Sequence, residues 1–125
     1  MTIPETHPPE KAERPATFEL QAIARELRAE APYAREGQTA RTLVRSADLR
    51  VVLVVLKAGK TISEHHVKVS ASVQTLEGAL RLDVAGDSVA LPLGQLLLIP
   101  SGLRHDVTAD VDSAFLLTLG GQAPR

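Results

Sequence analysis

Four histidines carry the chemistry this chain can use most directly: His7, His65, His66 and His105. A neutral imidazole can ligate a first-row divalent metal, relay a proton near neutral pH, or make directional hydrogen bonds in a closed pocket. His7 lies in MTIPETHPPEK, among prolines and acids, and reads as a solvent residue. His65 and His66 are adjacent, and neighbouring strand residues point to opposite faces, so both reach one ion only across a bulge. His65 divides between pocket and strand-end surface, and His66 reads as outward. No cysteine is present, which excludes disulfides, thiolate nucleophiles and Cys-based zinc or iron–sulfur sites. Ser70, Ser72 and Thr75 read as ordinary strand hydroxyls, and a Ser–His nucleophile would also need an orienting acid that the sequence does not place.

His105 has the strongest local frame. The run Gly94 to His105 reads GQLLLIPSGLRH. Gly94 permits a tight entry, Leu96 to Ile99 form a short apolar strand, Pro100 ends its pairing, and Gly102 allows a sharp reversal. His105 then opens the returning strand. A histidine aimed inward by a rigid turn serves as a ligand or as a packed pocket residue. Arg104 beside it reads as exposed, where it can meet an anion at the mouth of the pocket.

This run resembles the second motif of the cupin family, and Gly59 to Gly78 is similar to a degraded first motif. The resemblance covers about residues 39–119. It implies an all-β fold, an antiparallel jelly-roll barrel, and a divalent metal (Fe, Mn, Ni or Zn) held by two histidines and a glutamate from the first motif and one histidine from the second. His65 and His105 match two of those positions. The second histidine's position holds Val67, and the glutamate's position holds Ala71; neither side chain can donate to a metal. Ala109 stands where an asparagine often follows. Glu64 and Gln74 are further oxygen donors, but each has the wrong parity relative to His65 or lies off the ligand positions. Lys68 is a weak candidate. The ligands that remain to hold a metal are His65, His105 and, with a bulge, His66. The residues implied to line the pocket are His65, Val67, Ala71 and His105.

The elements that must position these residues follow from pattern. Residues 1–16 contain four prolines among charges and read as a mobile arm that cannot bury enough apolar surface to order itself. Residues 17–38 hold one amphipathic helix and a connector: Leu20, Ile23, Ala24 and Leu27 recur at helical spacing, Thr17 caps the start and Pro32 stops it. Such a helix packs outside the sheet or against a second subunit. Residues 39–121 then read as the β-barrel. Strands are expected at 39–44, 49–57, 67–69, 72–76, 79–84, 89–91, 95–99, 105–109 and 114–119, with a hairpin turn at Ala85-Gly86-Asp87-Ser88. Residues 51–56 are apolar at every position, so both faces of that strand must be covered. A neighbouring subunit is one cover, and a homodimer is the expectation.

Composition bounds the rest. A chain of 125 residues is one domain's worth, with 44% hydrophobic and 23% charged residues. Its formal net charge of −1 argues against a nucleic-acid or membrane-surface partner. Nothing resembles a secretory signal or a membrane span, so a cytoplasmic protein is expected. With one tyrosine, two phenylalanines and no tryptophan, an aromatic cage is not available.

Three functions fit. The first is a small single-domain cupin of unassigned activity that binds a small molecule in an apolar pocket, its metal site incomplete or absent. The second is a metal-dependent cupin enzyme of oxygenase or isomerase type with a non-standard two- or three-histidine site. The third is a partner-binding module that works through the arm and helix.

Overall fold

A computed structural model describes residues 14–63 and 68–121. The chain enters through two short helices, α1 (Leu20–Arg28) and α2 (Ala31–Glu36). Nine strands follow among the described residues: β1 (Gln38–Arg45), β2 (Arg50–Leu56), β3 (Thr61–Ser63), β4 (Ala71–Glu77), β5 (Ala79–Val84), β6 (Asp87–Pro92), β7 (Leu96–Ile99), β8 (His105–Ala109) and β9 (Ser113–Leu119). They form a five-stranded sheet in the order β1-β2-β9-β4-β7 and a four-stranded sheet in the order β3-β8-β5-β6. All pairings are antiparallel.

The single helix expected over 17–31 is two helices, and this is a correction. Glu19, not Thr17, stands at the N-cap of α1, and it makes no side-chain capping bond. Pro32 does not stop a helix; it sits in the first turn of α2. A missing N–H costs nothing there, so proline marks a start as readily as an end. Gly37, at φ +79°, then closes α2 in the left-handed conformation that glycine adopts most cheaply.

Two further differences concern strands. Residues 68 and 69, expected to be extended, lie in a bend, whereas β3 had no sequence signal because Ile62 is its one apolar residue. A three-residue strand gives too few alternations to detect.

The core lies between the sheets. Val52, Val54 and Leu56 of β2, Val73 of β4, Leu80 and Leu82 of β5, and Phe115 and Leu117 of β9 meet there, all nearly inaccessible to solvent. The odd positions of β2 face the other way: Leu53 and Val55 pack with Ala24, Leu27 and Tyr33 of the helices. Each fully buried aliphatic side chain contributes about 1.5–3 kcal/mol, so covering both faces of β2 is a large share of the fold's stability. The chain's own helices supply the cover that a neighbouring subunit was expected to give. Arg28 Nη2 reaches Glu77 Oε1 at 2.6 Å, and Arg41 Nη1 of β1 reaches Glu26 Oε1 at 3.0 Å, tying α1 to the sheet on either side. A cleft of about 210 Å³ between α1 and β4 is lined by Leu20, Gln21, Ala24, Leu76 and Glu77.

Coverage of this outer face is partial. Leu96 and Leu98 of β7 point outward and are 62% and 66% exposed, with Leu93 beside them at 63%. The run that reads as wholly apolar therefore buries only its alternate residues, Leu97 and Ile99.

Candidate site at the His105 end of the sandwich

The strand connections define two ends of the sandwich. At one end β3 leads into β4 and β7 leads into β8, so Ala71, Ile99 and His105 all lie there. The β1–β2 hairpin, the β5–β6 turn at Ala85-Gly86 and the close of β9 gather at the same end. Backbone bonds from Gly120 N to Ser70 O at 2.9 Å and from Ala85 N to Arg104 O at 2.9 Å tie these segments together.

The turn that delivers His105 follows the sequence reading. Gly94 and Gly102 hold φ at +85° and +87°, and Pro100 immediately follows β7. β8 alternates buried and half-buried positions, with His105, Val107 and Ala109 facing the interior. His105 pairs with Val84 across the sheet. The imidazole is 1% exposed. Burial holds its pKa below the ordinary histidine value, and a backbone contact with Leu103 opposes that shift only in part. The ring is therefore neutral at physiological pH. Its Nδ1 lies 3.4 Å from the carbonyl oxygen of Leu103. A carbonyl only accepts, so the proton is assigned to Nδ1 and the lone pair to Nε2. Nε2 is buried and has no hydrogen-bond partner among the described residues. A buried polar atom left unmatched costs free energy, so this lone pair is suited to a ligand.

Ala71 is 3% exposed on the inner face of β4, paired with Ile99 on one side and Leu119 on the other. Ala71 and His105 thus lie at the same end of the two sheets, on their inner faces. Three of the predicted site residues, His65, His66 and Val67, lie outside the described residues, as does Glu64. Other sequence candidates fall elsewhere. Gln74 and Ser72 have the outward parity of β4, while Lys68 and Arg104 are exposed. Thr75 does face the interior, but its hydroxyl donates to the Leu91 carbonyl oxygen at 2.8 Å, which satisfies it.

One residue of this end has no motif to announce it. Arg50 opens β2 two positions before Val52 and so has inward parity, and it pairs with Leu119. Arg50 is half-buried. Counting back from Val52 by twos would have found it; a strand otherwise apolar drew attention to its aliphatics instead.

Against a metal, the described residues offer His105 Nε2 and no group of three or more His, Cys, Asp or Glu side chains. The other two histidines that the sequence offers as ligands, His65 and His66, lie outside the described residues. Ala71 cannot add a ligand.

No family model matches the sequence. The chain is 40% identical over 78 residues to Protein SchB from Streptomyces halstedii, a match covering 58% of this chain and 55% of that protein. It thus spans about half the length of that curated relative. Among solved structures it is similar to a cupin superfamily protein from Desulfitobacterium hafniense, with a TM-score of 0.70 and 16% identity over 88% of this chain and 93% of that one. It is also similar to a variant of the salicylate 1,2-dioxygenase from Pseudoaminobacter salicylatoxidans, with a TM-score of 0.72 and 18% identity over 82% of this chain and 34% of that one. At such identities the likeness speaks for fold alone.

Proposed function

We propose, from the premise that this chain has the cupin fold, that it binds a small molecule in the aliphatic interior at the His105 end. The observation that carries this reading is His105 Nε2, a buried lone pair without a partner among the described residues. The layer between the sheets is aliphatic apart from Phe115, so the interior selects an apolar body and His105 selects a hydrogen-bond donor at one position. His105 orients and binds; burial keeps its ring neutral, and the Leu103 carbonyl holds the proton on Nδ1 so that the lone pair stands on Nε2.

A second reading is a metal-dependent enzyme, and the same lone pair supports it, since neutral Nε2 with Nδ1 bonded to a backbone carbonyl is a common ligand arrangement. The structural likeness to a salicylate dioxygenase points the same way. In that reading His105, with His65 and His66, would hold a divalent ion that supplies Lewis-acid or redox chemistry. A homodimer is proposed with either reading, through the half of the outer sheet face that the helices leave uncovered around Leu96 and Leu98.

Elemental analysis of protein purified without a histidine tag separates the two readings. The binding reading expects metal well below one ion per chain, and thermal stabilisation by small apolar ligands that weakens in His105→Ala. Stoichiometric metal that disappears in His105→Ala would replace it with the enzyme reading.

A further inference from the structure

The cleft of about 210 Å³ between α1 and β4 opens on the outer side of the five-stranded sheet, where the helices pack. Leu20 and Ala24 of α1 and Leu76 of β4 give it apolar walls, and Gln21 and Glu77 complete it. The Glu77 carboxylate is already held by Arg28 at 2.6 Å, so it is a poor seat for a cationic ligand. Pockets that take a free small molecule usually run to about 300–1,000 Å³. This cleft is smaller, whereas an apolar cavity of about 150 Å³ already accepts a benzene-sized body. Its size suits one large apolar side chain.

Such side chains stand beside it. Leu96 and Leu98 of β7 and Leu93 before it are mostly exposed. Leu96 pairs with Gln74 of β4, and bonds from Thr75 N to Gln95 O at 3.2 Å and from Gly94 N to Thr75 O at 3.0 Å carry the pairing on toward Leu76. Leu96 therefore lies one strand across and two residues along from Leu76, roughly 8 Å away on the same face. β7 is also an edge strand, paired with β4 alone among the described residues. Edges are commonly guarded by charged side chains. Here residues 91–101, LPLGQLLLIPS, carry no charge, and neither do residues 71–76, ASVQTL. Depletion of charge around large apolar groups marks the centre of a protein interface. A formal net charge of −1 sets little repulsion between two copies of the chain.

We propose that the cleft receives Leu96 of a second copy of this chain, inserted reciprocally across a twofold axis. In such an isologous contact, a residue that meets another is met by it in return, so each copy gives its leucine and accepts its partner's. An axis passing between Leu96 and the cleft satisfies this. Gln74, on β4 between them with outward parity, falls beside that axis, where two amides can exchange hydrogen bonds because each carries a donor and an acceptor. Insertion removes Leu96 from water and braces α1 against β4, with Leu93 and Leu98 at the margin. This rests on the reading that the chain is a homodimer through this face, and adds which side chain enters which recess.

The test is sedimentation of the full chain across micromolar concentrations, where a dimer is expected. Leu96→Lys, and Gln21→Trp, which crowds the cleft from an exposed helix position, should each weaken association by about tenfold or more. Leu49→Lys, an exposed change in the β1–β2 turn at the other edge of the sheet, should leave it unaltered. Circular dichroism checks that all three fold. The chain has no cysteine, so mixing Gln21→Cys protein with Leu96→Cys protein under mild oxidation should give the mixed disulfide in preference to either symmetric one. A dimer that either Leu96→Lys or Gln21→Trp leaves intact, or no preference for the mixed disulfide, overturns the insertion and leaves the homodimer standing. A monomer at every concentration overturns the homodimer itself, and this inference with it.

Discussion

His105 Nδ1 lies 3.4 Å from the carbonyl oxygen of Leu103, two residues earlier, in a ring that is 1% exposed. The contact is long for a hydrogen bond and cannot offset the loss of hydration, which is why burial dominates and the pKa falls. In the unfolded chain the same imidazole takes up its proton near 6.5. Between that value and the lower one of the folded state, the unfolded chain binds more protons, so stability rises with pH across the window. The contribution is complete above 6.5 and is lost as the pH falls below it. Urea unfolding of the wild type should therefore show a falling midpoint on acidification through this window. His105→Leu should remove up to one proton's worth of that slope, and a variant with the wild-type slope would show that His105 is not its source.

Gly78 provides a steric test. It holds φ at +79°, and a Cβ there would collide with Ser113 Oγ and the Asp112 carbonyl oxygen. Gly86, at φ +93°, has open space around the same position. Gly86→Ala should cost only the left-handed backbone penalty of about 1 kcal/mol. Gly78→Ala adds displacement of the β8–β9 turn, where Ser113 Oγ accepts from Ala79 N at 3.1 Å and Asp112 Oδ1 accepts from Ala58 N at 2.9 Å. Chemical denaturation should rank Gly78→Ala well below Gly86→Ala in stability.

The two apolar layers can be probed separately. Phe115, 1% exposed between the sheets, should lose about 3–5 kcal/mol on truncation to alanine. Leu27, fully buried between α1 and the outer face of β2, should lose about 2–5 kcal/mol. Backbone hydrogen exchange distinguishes them: Leu27→Ala should speed exchange in α1 before the strands, whereas Phe115→Ala should speed it in both sheets.

The ion pair of Arg28 with Glu77, 2.6 Å apart and about a quarter exposed on each side chain, joins α1 to β4. A double-mutant cycle with Arg28→Met and Glu77→Gln should return a coupling of roughly 1 kcal/mol or less, shrinking in high salt. A coupling several times larger would mean that the pair is desolvated more deeply than its exposure indicates.

Much of the fold was legible because its signals are local. Alternation in 79–84, the apolar run 51–56, and the Gly–Pro–Gly punctuation around β7 each follow from backbone sterics and side-chain period, and their strands stand where those patterns place them. Pro32 was misread because one residue type both breaks a helix interior and favours a first turn, and only the surrounding geometry chooses. At the site, His105 was readable from its turn, whereas Arg50 was not, since nothing local marks one arginine at the end of an apolar strand.

By itself, then, the order of residues determined which segments extend, where they turn, and that β2 must be covered on both faces. Only the tertiary structure decided what does the covering, that His105 Nε2 is buried without a partner among the described residues, and that Arg45 meets Arg50 in the row of Ala71. The physical reason is range. Strand period and turn geometry act within a few neighbouring residues, whereas register pairs positions such as Arg50 and Leu119 that are remote in the chain, and burial depends on every layer packed above them.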